Sequence, residues 1–382
     1  MSAPATRSTP RAEPVGSLLR PPRLKAMYER LFGGHTSHVE AILEGSELDT
    51  LAELHTLADE AIREAVARQV DLGLDVVTDG EMRRAHYVNS LFDGLSGLAE
   101  SDVPEYFAGD DGVAPPPEPV AREQIAVRAN PLVREHEFLA KVTAHRSKVA
   151  IQTPSSFYFP AARFGAEAYA SRADFVTDVI AVVRELVAGA VEAGVRYIQF
   201  DYPLYPALAD PDKRAELLAG SDDDFDTIFD AAIAADNAVL EGLPKGVTTG
   251  LHVCRGNFRS HWWARGSLEP VAERMFNELR HDRFLVEWED TEREGDYSAL
   301  RFVPPGPTVV MGLVSSKIGR LEDEDDVVAA LEDCARHLDV EQLAISPQCG
   351  FASVWHGNDL TEEDQWRKLE LVARVAERVW PT

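Results

Sequence analysis

The residues whose types and spacing point to chemistry are His252-Val253-Cys254, Glu287 and Cys349. Side chains alternate along an extended chain, so an imidazole and a thiol two apart at the end of a strand point to the same side. That is ligand geometry, although both residue types are also common in packed cores. Glu287 closes the next apolar run, and Cys349 follows the last one in Ser346-Pro347-Gln348-Cys349-Gly350-Phe351. One histidine, two thiolates and a carboxylate predict a tetrahedral zinc site with one ion per chain. Glu289 lies on the same strand face and competes with Glu287, which is preferred as the nearer to the body of the fold. Cys334 falls inside a helical pattern and reads as packing, while His261 and His281 read as solvated histidines.

The charge of such a site restricts its chemistry. Two thiolates and a carboxylate set three negative charges against the two positive charges of zinc, leaving about −1. That is a poor Lewis acid for making hydroxide, and it suits instead the binding of an incoming thiol as a nucleophilic thiolate. Alkyl transfer to sulfur is therefore expected over hydrolysis. A closed four-ligand zinc that only stabilises the fold is the alternative. Ligands spread over about 97 residues suit an active site better than a local zinc knot.

The elements that must position these groups alternate between short apolar runs and longer helical patterns, as in a sheet of βα units. Eight strands are expected, at Val15-Gly16-Ser17, Val76-Val77-Thr78-Asp79, Val149–Gln152, Tyr197–Asp201, Gly250–Cys254, Phe284–Glu287, Val309–Leu313 and Leu343–Ser346. Helical spacing covers Leu51–Leu72, Asp174–Ala193, Asp222–Leu240, Leu268–Leu279, Glu322–Leu338 and Glu362–Val379, with helix starts at Ser221-Asp222-Asp223-Asp224 and Leu360-Thr361. The fold class is α/β, a (β/α)8 TIM barrel with extended loops on its C-terminal face. An open doubly wound sheet is the runner-up, but it needs a glycine-rich phosphate turn and no GxGxxG occurs. Residues 1–382 read as a single catalytic domain, with 94–146 and 202–245 as loop excursions.

Composition excludes several classes. The chain has 382 residues, with 38 Lys and Arg against 65 Asp and Glu, a formal net charge of −27. That balance works against nucleic acid, whose phosphates require a basic surface. Three cysteines do not make a disulfide framework, the opening residues lack the apolar stretch of a signal peptide, and no run approaches a membrane span. A soluble cytoplasmic protein without a nucleic-acid or membrane partner is expected, with a homo-oligomer left open.

The strings VGSLLRPPRL, HVCRGNFRS, LVEWEDTEREGDYSALRFV, GLVSSK, SPQCGFAS and GNDLTEEDQW, with Asp79-Gly80-Glu81 and Ile198-Gln199-Phe200-Asp201, resemble the catalytic barrel of cobalamin-independent methionine synthase, in its single-barrel bacterial branch. The resemblance runs from about Val15 to Trp380. It implies zinc on His252, Cys254, Glu287 and Cys349, no cobalamin, and a homocysteine acceptor held by Ser17, Glu81 and Asp201. Asp201, Tyr202 and Lys317 are the catalytic candidates, and a methyl donor is the implied second substrate. The branch departs from the family's pattern where a donor would stack or be protonated. The acid-acid-proline after the fourth strand is Asp201-Tyr202-Pro203, the tryptophan near the third strand gives way to Thr153-Pro154-Ser155-Ser156-Phe157, and no histidine occurs in Leu313-Val314-Ser315-Ser316-Lys317. Tyr202, Tyr205, Phe157, Tyr158, Lys317 and His356 are the donor-side candidates. The expected reaction is zinc-dependent methyl transfer to homocysteine, giving methionine. The donor is a methylfolate with a short or absent polyglutamate tail, or a small activated methyl compound. Thiol alkylation of the epoxide and coenzyme M type, and a non-catalytic zinc-binding barrel, are the alternatives.

Overall fold

The computed structural model describes residues 7–32, 48–99, 119–158, 165, 167–219, 223–288 and 291–381. Eight strands occur among them: β1 (Leu95–Ala99), β2 (Val120–Val127), β3 (Val149–Gln152), β4 (Tyr197–Asp201), β5 (Thr248–Val253), β6 (Arg283–Glu287), β7 (Thr308–Val314) and β8 (Leu343–Pro347). Strands β3 to β8 form one parallel sheet in sequence order. The expected first two barrel strands are not regular strands but extended segments that carry isolated bridges. Ala12 bridges Ile345 of β8, Val77 bridges Ser147 just before β3, and the Asp75 N–H donates to Ala12 O at 2.8 Å, so the sheet closes on itself.

The irregularity has a local cause. The Asp75 carboxylate accepts the N–H groups of Arg11 and Ala12 at 2.8 and 3.0 Å, taking donors a ladder would use. Pro14 has no N–H to offer. The fold is a (β/α)8 barrel with six regular strands and two bridged segments.

The barrel interior has an apolar layer of Val15, Leu285, Val310 and Ala344. Below it lies a charged layer centred on Glu13. Lys148 Nζ reaches Glu13 Oε2 at 2.6 Å, Arg283 reaches Oε1 at 2.7 Å, and the Tyr197 hydroxyl donates to Oε2 at 2.9 Å. Burial pushes the Glu13 carboxyl up, but the two cations outweigh it and hold the group at about 2.

Helices pack around the sheet, and their starts follow capping chemistry. Asp224 caps Phe225–Ala238, and Thr361 with Asp364 forms a capping box on Glu362–Val379. Among the described residues between 94 and 146, regular elements occur where the sequence showed no period. Strands β1 and β2 pair as an antiparallel hairpin, and helix Pro131–Val142 is capped by Asn130. Within 202–245, helices Tyr205–Ala209 and Pro211–Ala219 precede Phe225–Ala238. Helix Pro22–Phe32 was not anticipated, and Cys334 ends helix Glu324–Cys334, buried as expected. No helix among the described residues is long and apolar enough to cross a membrane.

Candidate metal centre and active site

Strand register assembles the candidate ligand set. Asp201 and His252 are direct partners across β4 and β5, and Cys254 lies one residue beyond β5 on the His252 side. Glu287 ends β6, and Cys349 arrives in the turn after β8. Ligand atoms of His252, Cys254, Glu287 and Cys349 all lie within 4.8 Å of one another, and all four side chains are buried. The two sulfurs are 3.9 Å apart. Zinc–sulfur bonds of about 2.3 Å at the tetrahedral angle place two sulfurs about 3.8 Å apart, so the spacing fits the ion.

The polar surroundings orient each ligand. His252 Nδ1 donates to Asp201 Oδ1 at 2.7 Å, turning Nε2 toward Glu287 Oε1 at 3.7 Å. A carboxylate behind a ligating imidazole fixes its ring and raises its basicity. Burial lowers the His252 pKa, but Asp201, with Cys349 and Glu287 behind it, holds the group up at about 10. A metal at Nε2 would have to displace a proton. Glu287 Oε1 accepts the Arg255 N–H at 2.9 Å, and Oε2 accepts Lys317 Nζ at 3.1 Å. The Gly256 N–H points at Cys254 Sγ at 3.3 Å. The thiols divide their titration: Cys349 is lowered by its contact with Cys254, and Cys254 is raised by the same contact and by burial.

Beside the sulfurs lies a cavity of about 60 Å³, lined by Cys254, Cys349, Ser17, Glu81, Asp201 and Tyr202 among others. At about 10–15 Å³ per water this is the space of roughly four to six waters, the scale of a small amino acid. Glu81 and Tyr202 adopt left-handed backbone, with φ 55° and 60°. Such non-glycine outliers persist only where surrounding contacts over-determine them. Gly16 makes room for the Glu81 carboxylate, since a Cβ there would sit 2.6 Å from Glu81 Oε1. Burial pushes the Glu81 carboxyl up to about 7 against the pull of Arg84 and Arg20, and its Oε2 has no hydrogen-bond partner. Asn257 Oδ1, on another cavity wall, also has none.

The family model described as cobalamin-independent synthase, catalytic domain, matches residues 35–362. The chain belongs to that family. Among curated relatives of this chain, the uncharacterized proteins YxjH and YxjG of Bacillus subtilis are 31% and 32% identical over 378 and 376 residues, 97% of this chain and 94% of each relative. A methionine synthase of Pyrococcus abyssi is 24% identical over 310 residues, covering 79% of this chain and 80% of its own. Among solved structures, a B12-independent methionine synthase from Shewanella sp. W3-18-1, in complex with selenomethionine, superimposes with a TM-score of 0.70 at 20% identity, covering 97% of both chains. That likeness shows the shared barrel.

Of the residues expected at the site, Ser17, Glu81, Asp201 and Tyr202 line the cavity, and Lys317 instead contacts Glu287. Glu289 lies outside the described residues. Glu81 is also within 3.4 Å of Arg84, whereas Arg83 pairs with Asp59. The other donor-side candidates separate. Phe157 is core, the Tyr205 hydroxyl donates to Asp236 at 2.7 Å, Tyr158 ends a 3-10 turn, and His356 stacks on Trp355 outside the cavity lining. His281, expected in solvent, is instead buried against Phe200 and Phe284, and neither ring nitrogen has a hydrogen-bond partner.

His86, Tyr87, Asn257 and Phe258 also line the cavity and were not anticipated. His86 and Tyr87 follow Asp79-Gly80-Glu81 within a few residues, a proximity that could have suggested them. They enter the wall because residues 85–87 pair with 353–355. Val354 bridges His86, and Tyr87 N–H donates to Ser353 O at 2.9 Å.

Proposed function

We propose that the protein transfers a methyl group to the thiol of homocysteine, forming methionine, with zinc held by His252, Cys254, Glu287 and Cys349. The observation that carries this reading is the meeting of an N, S, O, S ligand set with an amino-acid-sized cavity whose wall includes both sulfurs. Zinc bound there would lower the pKa of an incoming thiol and supply it as a nucleophilic thiolate at neutral pH.

The chain's own residues supply the rest. Glu81 offers a carboxylate with one unsatisfied oxygen to the substrate ammonium, and Asp201 adds negative charge from β4 while holding His252. Backbone around Gly16 and Ser17 receives the substrate carboxylate. Lys317 offsets the charge on Glu287. The methyl carbon exchanges its bond to the donor for one to sulfur, and a nitrogen leaving group takes up a proton. His86 is the one imidazole among the cavity's described lining residues and is the group we assign to that proton. Tyr87 and Tyr202, edge to face at 5.5 Å with Trp263 6.4 Å beyond Tyr202, form the aromatic wall for the donor. A methylfolate with a short tail, or a small activated methyl compound, suits this wall.

The test is methionine formation from homocysteine with mono- and polyglutamylated methylfolates and with a methylsulfonium donor, run beside coenzyme M. Turnover of coenzyme M with homocysteine ignored overturns the acceptor reading, because two carboxylates repel a sulfonate. His86→Asn is expected to lose transfer from methylfolate and keep transfer from the sulfonium, whose leaving group departs neutral. A closed structural zinc predicts no thiol binding at all.

A further inference from the structure

Arg20 lies in the loop after the first barrel position and is buried, 4% exposed. Its four terminal N–H groups go to four backbone carbonyls on three loops. Nη1 donates to Leu18 O and Ala352 O, both at 2.9 Å, and Nη2 donates to Glu81 O at 2.8 Å and Arg84 O at 2.7 Å. Each carbonyl sits at or beside a group that faces the cavity. Leu18 follows Ser17, and the Ala352 N–H donates to Ser17 Oγ at 3.3 Å. Glu81 is the carboxylate itself, and Arg84 is the cation 3.4 Å from it.

The left-handed backbone of Glu81 is held from both sides: its N–H donates to Asp79 Oδ1 at 2.8 Å and its carbonyl accepts from Arg20. Left-handed backbone at a non-glycine residue is strained, so it needs such contacts to persist. The Ser17 side of the cavity is equally tight, since a Cβ on Gly350 would fall 2.0 Å from Ser17 Oγ.

We infer that Arg20 is the positioning residue that sets the separation between the Glu81 carboxylate and the Gly16-Ser17 backbone, and so selects thiols bearing an α-amino acid head. The inference rests on the acceptor reading above and extends it to a residue that touches no substrate. A planar fork with four in-plane terminal donors makes this link between three loops; lysine has three donors in a tetrahedral array and glutamine two. Misplacing a binding group by about 1 Å can cost roughly 100-fold. The consequence falls on the ammonium end, because no zinc ligand is itself a partner of Arg20: three come from β5, its end and β6, and Cys349 stands three residues before Ala352, whose carbonyl Arg20 holds.

The test is calorimetric binding of homocysteine and of 4-mercaptobutanoate, the same thiol without its amino group, to the zinc-loaded full chain, which requires no methyl donor. In Arg20→Gln, homocysteine is expected to weaken roughly 10- to 100-fold while 4-mercaptobutanoate changes less than about threefold and zinc stays at about one per chain. Equal weakening of both thiols, or no change in either, overturns the inference. Should Arg20→Gln fail to fold, Arg20→Lys, which keeps the charge and loses the fork, is measured in the same way with the same expectation. Wild-type protein that binds neither thiol defeats the acceptor reading itself, and the role of Arg20 with it.

Discussion

Cys254 and Cys349 face each other at 3.9 Å, and Lys317 is paired to Glu287 beside them. Serine at either position removes a thiolate from a set of four. Cys254→Ser and Cys349→Ser are each expected to lose zinc and methyl transfer while keeping the fold, because the barrel core lies on other layers. Elemental analysis with circular dichroism checks this, and full zinc in both variants refutes the ligand set. Glu81 gives a pH-dependent expectation. With its carboxyl raised to about 7 by burial, against Arg84 and Arg20 and beside Asp201 and Asp79, it carries its charge only above that value. The affinity ratio of homocysteine to 4-mercaptobutanoate should therefore fall about tenfold per pH unit below about 7 and level off above it. A ratio flat from pH 5.5 to 8 excludes Glu81 as the ammonium partner. At this scale the clustering of His252, Cys254, Glu287 and Cys349 was legible in the sequence, because alternation along a strand puts His252 and Cys254 on one side whatever surrounds them. Arg20 and the partner of Lys317 were not, since each bonds across loops that no local pattern relates.

Among the elements, the charged layer inside the barrel joins the first barrel segment to β3, β4 and β6 through Glu13. Glu13→Gln leaves Lys148 and Arg283 buried without a carboxylate, and breaking a buried pair this way costs about 3–5 kcal/mol. Urea unfolding at pH 7 measures the loss; a cost under about 1 kcal/mol contradicts the assigned role. Because the folded carboxyl is held at about 2, below its ordinary 4.5, its stabilisation is present above pH 4.5 and disappears as pH falls toward 2. The helices were largely readable, and Asn130 followed by Pro131 is a start signal the sequence offered. Helix Pro131–Val142 escaped because it buries only Pro131, Leu132, Glu135 and Leu139, a narrow stripe interrupted by a carboxylate. That carboxylate is bonded to Arg84 at 2.6 and 2.8 Å, a partner from a different loop.

For the whole molecule, the buried ring of His281 adds its own acid sensitivity to that of Glu13. Burial alone pushes its pKa down from 6.5 to about 3. The unfolded chain therefore binds a proton that the folded one refuses, and stability falls by about 1.4 kcal/mol for each pH unit between 6.5 and 3. His281→Leu should remove about 2 kcal/mol of the loss between pH 7 and pH 5; a variant with an unchanged slope refutes this. The amino-acid sequence by itself determined the alternation of strands and helices, the ligand types and their convergence at strand tips, because these depend on local periodicity and on the barrel that the periodicity builds. Tertiary structure alone decided that Asp75 would replace ladder donors at barrel closure, that Asp201 would stand behind His252, that His281 would be buried and that one guanidinium would tie three loops. Those outcomes depend on which loops meet. Leu18 and Ala352 are 334 residues apart and touch the same side chain only once the sheet has closed.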